Sequence, residues 1–341
     1  MLNSSVVATA SRSPKRVHAS ARAAAVTTSH VLAAADRLRG RVTRTPLVRS
    51  STFDGYLKLE SQQITGAYKV RGALNALMVQ VSRGDCRPVV AASAGNHAAG
   101  VAWAGRRLGL DVITVVPEGA PASKIERTER YGAEVIRCGQ RFDDAFAEAQ
   151  RLAQANDWRF LHAFDDPDVI AGQGSLAVEL DDFCPDVVAV PIGGGGLASG
   201  VATYLHQRGV RVVGVQVRGV DAMAQALGVA PRGPIRDTIA DGVAVRQAGA
   251  LTADICHRLL DDLILVSEAE VRDAMRRLYV DDYVIAEGAG AVAAAALDRI
   301  RGRRKVAVVS GGNVDLATLT SALISTPAAP EPPRGALALS A

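Results

Sequence analysis

The sequence of 341 residues has few cysteines, few aromatic residues and very few lysines. Its four cysteines lie far apart, with no C-x-x-C pair, so they predict unpaired thiols in a reducing compartment such as the cytoplasm. Nearly all basic residues are arginine. Chemistry that needs an amine side chain therefore has only five candidates: Lys15, Lys58, Lys69, Lys124 and Lys305.

The sequence also lacks a strong excess of one charge and an unbroken apolar run. The net charge is +4, and the first 35 residues alone, with four basic and no acidic side chains, account for it. The rest of the chain is close to neutral, which argues against a nucleic-acid partner or an anionic membrane surface. The longest uncharged run, residues 187–205, contains Pro191 and four consecutive glycines, which a lipid-exposed helix would not tolerate.

The two ends of the chain differ in composition from the middle. Residues 1–30 are rich in Ala, Ser and Arg, which predicts a disordered basic tail, with an organelle-targeting peptide as the alternative. Residues 326–341 are rich in Pro and Ala. Because proline fixes φ and removes a hydrogen-bond donor, this segment predicts a second disordered tail.

Between these ends, apolar runs rich in Val and Ile alternate with segments of helical period. The alternation predicts an α/β fold of two open, mostly parallel twisted sheets with helices on both faces, and a ligand crevice at the carboxyl ends of the strands. We assign residues 31–84 and 167–325 to a large domain and residues 85–166 to a small one. Predicted strands span residues 88–92, 111–116, 133–138, 158–162, 186–191, 211–217, 263–266 and 304–309, and predicted helices span residues 97–108, 121–131, 141–156, 197–208, 267–279 and 287–301.

Lys69 lies in the string T-G-A-Y-K-V-R-G-A, at the start of a predicted helix. Helix amide donors and the neighbouring Arg71 would both disfavour its charged form. A neutral amine can form a Schiff base with an aldehyde. The alternative is a surface lysine that extends from an amphipathic helix into solvent.

The string S-A-G-N-H follows a predicted strand and opens a helix, from Ser93 to His97. Its small residues allow a sharp turn whose N–H groups can bind an anion such as a substrate carboxylate. The amide of Asn96 can donate to a phenolate oxygen. His97 has two interpretations, a catalytic base or a structural histidine at a helix start.

Four glycines, Gly193 to Gly196, also stand between a strand and a helix. Without Cβ atoms they let a phosphate approach the amides, and the helix dipole favours its charge. The same loop fits a dinucleotide fingerprint. However, the acid that should bind the ribose at the end of the next strand is replaced by Gln216.

The string V-A-V-V-S-G-G-N-V-D places Ser310 at the carboxyl end of the last predicted strand, before Gly311 and Gly312. A hydroxyl there can hydrogen-bond a pyridine nitrogen without protonating it, which favours elimination over deeper carbanion chemistry. Upstream, Glu287 begins the string E-G-A-G-A-V. It is either a first-turn carboxylate on the helix dipole or a site residue.

Taken in order, T-G-A-Y-K-V-R-G-A, S-A-G-N-H-A-A-G, P-I-G-G-G-G-L, I-A-D-G-V-A-V, E-G-A-G-A-V and S-G-G-N-V-D closely resemble the threonine dehydratase and serine racemase family, over about residues 32–325. The resemblance implies the two-domain fold of the tryptophan synthase β-subunit type, with pyridoxal phosphate between the large, cofactor-binding domain and the small one. It also implies a homodimer or homotetramer.

Residue by residue, the resemblance implies that Lys69 is the Schiff-base lysine and proton shuttle and that Asn96 is the partner of the cofactor 3-hydroxyl. Ser310 is implied as the ring-nitrogen partner. The implied phosphate cup is Gly193, Gly194, Gly195, Gly196 and Leu197, and the implied carboxylate loop is Ser93, Ala94, Gly95, Asn96 and His97.

The chain also departs from the family pattern. Racemases of the family have a second serine where this chain has Ala94, so dehydration is favoured over racemisation. A divalent-cation site is not expected, because its acidic positions correspond to Gln216 and Ala222. Ala67 and Tyr68 replace the usual residues of T-G-S-F-K, and the segment from residue 51 to 57 is shorter than in relatives.

These features predict dehydration and deamination of L-threonine or L-serine to a 2-oxo acid and ammonia, with a small-molecule amino acid as the only partner besides other copies of the chain. Two alternatives stay open for the reaction, a dehydratase of another 3-hydroxy-amino acid such as 3-hydroxyaspartate and a racemase-like enzyme. A relative that binds the cofactor without turnover is the alternative of another class.

Overall fold

The computed structural model describes residues 26–230 and 236–324. The predicted C-terminal tail and residues 1–25 of the predicted N-terminal tail lie outside the described residues. The N-terminal prediction is wrong for residues 28–30, because a helix begins at Thr28. Its N-cap, Thr27, accepts a hydrogen bond from the backbone of His30, which stabilises the first turn.

The helices and strands alternate along the chain. The helices are α1 (Thr28–Leu38), α2 (Lys69–Ser82), α3 (Asn96–Leu108), α4 (Ala122–Arg130), α5 (Phe142–Asn156), α6 (Pro167–Val178), α7 (Gly196–Leu205), α8 (Ala222–Ala226), α9 (Ala250–Leu259), α10 (Glu268–Val280), α11 (Gly288–Ala295) and α12 (Leu316–Leu323). The strands are β1 (Leu47–Arg49), β2 (Tyr56–Lys58), β3 (Val89–Ala92), β4 (Val112–Val116), β5 (Glu134–Arg137), β6 (Arg159–Phe160), β7 (Val187–Pro191), β8 (Arg211–Val217), β9 (Asp262–Val266) and β10 (Lys305–Val308).

The strands form two sheets. The large sheet has the order β1-β2-β10-β7-β8-β9 and the small sheet has the order β5-β4-β3-β6. All neighbouring pairs are parallel except β1 and β2. Both predicted sheets are therefore present, and the fold class is confirmed. The fully buried central strands explain why their sequences are continuous apolar runs.

Helix α2 connects the two sheets, because it packs against α3 of the small sheet and against α6. Close approach is possible where glycines face the helix. A Cβ on Gly172 would lie 2.7 Å from the carbonyl oxygen of Arg71, and a Cβ on Gly100 would lie 3.2 Å from the carbonyl carbon of Lys69. The start of α2, where Lys69 lies, is thus held by backbone packing on two sides.

A buried network of charged side chains supports the same helix. The guanidinium of Arg71 is 2.8 Å from Glu60 and 2.7 Å from Glu179, and Glu179 also binds Lys58. Burial alone would raise the pKa of Glu60, but Arg71 more than offsets it and holds that pKa below its ordinary value. The guanidinium of Arg71 therefore binds these two carboxylates. Among the described residues, no helix is both long enough and apolar enough to cross a bilayer.

Candidate active site

A cavity of about 440 Å³ lies where the carboxyl ends of β3, β6, β7 and β10 meet. That volume is typical of a small-ligand site. Every cofactor-binding and substrate-binding residue predicted from the sequence lines it. These are Lys69, Ser93, Ala94, Gly95, Asn96, His97, Gly193, Gly194, Gly195, Gly196, Leu197 and Ser310.

Lys69 is the first residue of α2, and the chain before it is attached to the end of β10. The backbone N–H of Tyr68 donates to the carbonyl of Ser310, and Ala67 pairs with Gly311 in an isolated bridge. The Lys69 Nζ donates to the carbonyl oxygen of Ala163 at 2.9 Å. The amine and the Ser310 hydroxyl are thus brought to one cavity by local backbone pairing.

Burial lowers the pKa of Lys69 from 10.5 to about 8, and the carboxylate of Glu287 opposes the shift. The direction is the one predicted from the sequence, but the proposed contribution of Arg71 is wrong. Its guanidinium points away to Glu60 and Glu179. Removal from water, rather than a neighbouring cation, favours the neutral amine.

The loop from Ser93 to His97 turns sharply into α3, which begins at Asn96. The N–H of Gly95 donates to the hydroxyl oxygen of Ser93 at 3.1 Å. Asn96 donates from Nδ2 to Glu287 at 2.6 Å, and its Oδ1 accepts from Asn313 at 2.8 Å. The first N–H groups of a helix have no partner inside it, so this loop offers donors to an anion.

His97 is buried beneath this loop. Its Nε2 lies 3.1 Å from the carbonyl oxygen of Leu161, and its Nδ1 has no partner in the described part of the chain. Burial lowers the pKa of His97 to about 3, so the ring is neutral near pH 7. The geometry favours the structural interpretation of this histidine, since it joins the first turn of α3 to the end of β6.

The glycine loop from Gly193 to Gly196 occupies the wall formed by β7 and α7. Gly195 adopts φ +98°, and a Cβ there would lie 2.5 Å from Cε of Met223. The hydroxyl of Thr252 donates to the carbonyl of Gly194 at 2.6 Å. The amides at the start of α7 have no helical acceptor and coincide with the positive end of the helix dipole, which suits a phosphate.

Glu287, whose role the sequence left open, is a site residue. It precedes α11, lines the cavity and is 7% exposed. Burial, with a smaller contribution from Asp241, raises its pKa to about 7. Glu287 therefore stands at the start of a helix and also lines the cavity.

Sequence reasoning missed several residues of the cavity wall. Ala163 and Phe164 follow a strand of only two residues, and Lys124 pairs with Asp241 across the cavity at 2.5 Å. Asn313 lies within S-G-G-N-V-D and could have been found from that motif.

Gln216 has no role in the cavity. It is buried, donates to the carbonyl of Ile192 and accepts from the backbone of Ala224. Ala222 begins α8 beside it. The amide thus stabilises the loop after β8 and does not line the cavity.

The cavity is lined by a buried lysine amine, a glycine turn at the start of a helix and a neutral hydroxyl. These groups suit an enzyme that binds a phosphorylated aldehyde with a ring nitrogen. The lining residues fit pyridoxal phosphate. Lys69 suits the aldehyde of the cofactor, the glycine turn suits its phosphate, and Asn96 and Ser310 suit its 3-hydroxyl and its ring nitrogen. Residues 38–311 match the family model described as pyridoxal-phosphate dependent enzyme, and the chain belongs to that family.

Three relatives illustrate the similarity. The chain is 40% identical over 308 residues to the catabolic L-threonine dehydratase TdcB of Escherichia coli (strain K12), covering 85% of this chain and 94% of that protein. It is 41% identical over 307 residues to the L-threonine ammonia-lyase of Thermotoga maritima, covering 85% and 76%. The processed form of threonine deaminase isoform 2 from Solanum lycopersicum superimposes with a TM-score of 0.80 at 33% identity, covering 86% and 92%.

Proposed function

We propose that this enzyme removes water and then ammonia from a small hydroxy-amino acid, L-threonine or L-serine, to give a 2-oxo acid. The observation that carries the proposal is the buried amine of Lys69 in a cavity shared with the glycine loop and the Ser93–His97 loop. Two relatives at about 40% identity, a threonine dehydratase and a threonine ammonia-lyase, support the same reaction.

The proposed roles follow from the groups that each residue presents. Pyridoxal phosphate, when bound, supplies the electron sink that stabilises negative charge at the substrate Cα. Amides at the start of α7 would hold its phosphate, and Ser310 would offer the ring nitrogen a neutral hydroxyl. The proposed cofactor-binding residues are Lys69, Asn96, Gly193, Gly194, Gly195, Gly196, Leu197 and Ser310, and the proposed substrate-binding residues are Ser93, Ala94, Gly95, Asn96 and His97.

Lys69 is the proposed catalytic residue. An amine with a pKa of about 8 is partly neutral near pH 7, so it can accept the proton from Cα. The β-hydroxyl takes up one proton and leaves as water, and hydrolysis of the released enamine gives the 2-oxo acid and ammonia. The carboxylate of the substrate binds the amides of the Ser93–His97 loop, which fixes the orientation of the Cα–H bond. Elimination is favoured over racemisation because Ala94 offers no hydroxyl to reprotonate the opposite face.

A substrate panel tests the reaction. The purified protein, loaded with pyridoxal phosphate, is incubated with L-threonine, L-serine and 3-hydroxyaspartate, and 2-oxo acid, ammonia and D-amino acid are measured. We expect equal amounts of 2-oxo acid and ammonia from L-threonine or L-serine. Absence of 2-oxo acid with all three substrates would refute the proposal, and D-serine as the main product would favour a racemase.

We further propose that the protein is a cytoplasmic homodimer or homotetramer whose large domain comprises residues 31–84 and 167–325 and whose small domain comprises residues 85–166. Its four cysteines are unpaired, which suits a reducing compartment. Exposed apolar side chains, among them Tyr283, Ile285 and Leu316, are suited to contact with another copy. Light scattering coupled to gel filtration would measure the oligomeric state.

A further inference from the structure

The segment after β6 contacts Lys69 through its backbone. The carbonyl oxygen of Ala163 accepts the hydrogen bond from Lys69 Nζ at 2.9 Å. Every residue has a carbonyl oxygen. Whether the one of Ala163 can accept from Lys69 depends on the conformation of the turn that contains it. The residues on either side of Ala163 therefore decide where the amine lies.

His162 orients this turn. Its Nδ1 accepts from the backbone N–H of Asp165 at 2.9 Å and from that of Phe164 at 3.3 Å. An acceptor cannot carry a proton, so the ring is either neutral with hydrogen on Nε2 or loses both bonds. Three aromatic rings hold the imidazole, with centroids 4.5 Å away for Phe164, 5.6 Å for Phe146 and 6.1 Å for Phe160.

The same turn also supports the glycine loop. The carboxylate of Asp165 accepts from the backbone N–H of Thr252 at 3.1 Å, and the Thr252 hydroxyl donates to the carbonyl of Gly194. Phe164 packs against the loop, since a Cβ on Gly194 would lie 2.5 Å from its ring. One turn thus contacts both the amine and the proposed phosphate cup.

We propose that His162 is a positioning residue for Lys69: its unprotonated Nδ1 folds the 162–165 turn so that the Ala163 carbonyl holds the ε-amine at the cavity wall. This inference rests on the function proposed above. One N–H of the amine points at the carbonyl, which leaves the lone pair of the neutral amine directed elsewhere in the cavity. His162 itself contacts neither Lys69 nor the carboxylate loop through any described hydrogen bond, so its effect is indirect.

Two substitutions separate the role of Nδ1 from that of the ring as a whole. In His162→Asn, the amide oxygen can take the place of Nδ1, whereas in His162→Gln the amide lies near the position of Nε2. We expect the Asn variant to keep kcat within about threefold of wild type and the Gln variant to lose about tenfold or more, with KM for L-threonine little changed. His257→Gln, on an exposed position of α9, is the control and should change neither constant.

A second measurement does not depend on turnover. The dissociation constant of pyridoxal phosphate, measured by absorbance titration of the cofactor-free proteins, should rise about tenfold in His162→Gln and change little in His162→Asn. This measurement separates the two proposals. A wild type without ammonia-lyase activity but with this difference in cofactor affinity would overturn the proposed function and leave the positioning role supported.

The pH profile gives a third readout. His162 is packed against Phe146 of α5, Phe160 of β6 and Phe164, and the charged groups that face it are Lys69 of α2 together with Asp165 and Asp166 before α6. Burial lowers the pKa of His162 from its ordinary value. Protonation of the wild-type ring removes the acceptor, so kcat should fall only at a pH below the ordinary histidine range. The Asn variant has an acceptor at every pH, so its kcat should not show this fall. The titration of Glu287 remains in both the wild type and the variant.

Each outcome decides the proposal. A Gln variant with wild-type kcat and cofactor affinity overturns it, and so does an equal loss in both variants when their unfolding temperatures are also equal. If neither variant folds, nitrogen NMR of the wild-type protein labelled at histidine remains. Nδ1 of His162 should be unprotonated at pH 8, and a proton on that atom would overturn the proposal.

Discussion

Asn96 donates a hydrogen bond of 2.6 Å to Glu287, and this contact joins the first residue of α3, on the small sheet, to the residue before α11, on the large sheet. Asn96 also accepts from Asn313 at 2.8 Å. The three side chains form a chain of hydrogen bonds along one wall of the cavity. The site thus depends on the relative position of both sheets.

Glu287 makes stability depend on pH in a defined direction. Burial raises its pKa to about 7 from the ordinary 4.5, so between these values the folded protein holds a proton that the unfolded chain has released. Its contribution to the free energy of unfolding is full below about pH 4.5 and is lost as the pH rises through about 7, a change of at most about 3 kcal/mol. The stability of Glu287→Gln relative to wild type should therefore improve as the pH rises across this window.

Urea denaturation of the cofactor-free proteins between about pH 5 and pH 8 measures that trend. Glu126→Gln, on an exposed position of α4, serves as the control and should follow the wild-type curve. A difference between wild type and Glu287→Gln that stays constant with pH would show that Glu287 does not titrate as described.

Substitution of two glycines with positive φ distinguishes the effect of backbone strain from that of crowding. One of them, Gly195, lies in the proposed phosphate cup, and the other, Gly209, does not. Gly195→Ala would place a Cβ 2.5 Å from Met223, whereas at Gly209, with φ +67°, nothing lies within 4 Å. We expect Gly209→Ala to lose about 1 kcal/mol from strain alone and Gly195→Ala to lose a further 1–3 kcal/mol, roughly, from overpacking. Gly195→Ala should also bind pyridoxal phosphate at least about tenfold more weakly, measured by titration. Equal affinities in the two variants would contradict the assignment of this loop to the phosphate.

The buried pairs of Arg71, which lie outside the cavity, predict a large effect on stability. Arg71→Met leaves the fully buried Glu60 without its guanidinium partner, which should lower the free energy of unfolding by about 3–5 kcal/mol. Arg258→Met removes an exposed i,i+4 pair with Asp254 and should change it by less than about 0.5 kcal/mol. Similar losses in both variants, measured by urea denaturation, would contradict the distinction between buried and exposed pairs.

Ala94 predicts a gain of function. Ala94→Ser places a hydroxyl in the carboxylate loop, where it can donate a proton to the second face of Cα. We expect the variant to form D-serine from L-serine at a rate above that of wild type, together with a slower formation of pyruvate. Chiral chromatography of the product mixture measures both. A variant that forms no more D-serine than wild type would remove Ala94 as the reason for the preference for elimination.

Much of the fold could be predicted from the sequence because its inner strands are buried on both faces. Strands β3, β4, β7 and β8 agree with the predicted segments to within one residue at either end. Helix α6 was missed because Pro167, Gly172 and Gly174 obscure its period. In the structure these glycines permit contact with Arg71 and Gly200, a tertiary effect that no local pattern reports.

The short and the terminal elements were also less predictable. The strands β1 and β2 have three residues each, too few for a periodic signal. They pair with each other, and β2 also pairs with β10. The predicted helix over residues 287–301 ends at Ala295 and continues as a 3₁₀ turn from Leu297 to Arg299.

The parts of the site formed by side chains in motifs could be predicted from the sequence. The parts formed by backbone groups could not. Lys69, Asn96 and Ser310 lie in motifs whose chemistry depends on their side chains, and all three line one cavity. Ala163 contributes only a carbonyl oxygen, which any residue could supply. The fall in the pKa of Lys69 was expected, but its cause is burial, and burial depends on the complete fold.

The assignment of Lys69 as the lysine that bears the cofactor can be tested directly. The protein loaded with pyridoxal phosphate is reduced with borohydride, digested and mapped by mass spectrometry. Lys124 lines the same cavity and provides an internal comparison. We expect a pyridoxyl group on the peptide that contains Lys69 and on no other. A label on Lys124, or an unlabelled protein, would contradict the assignment.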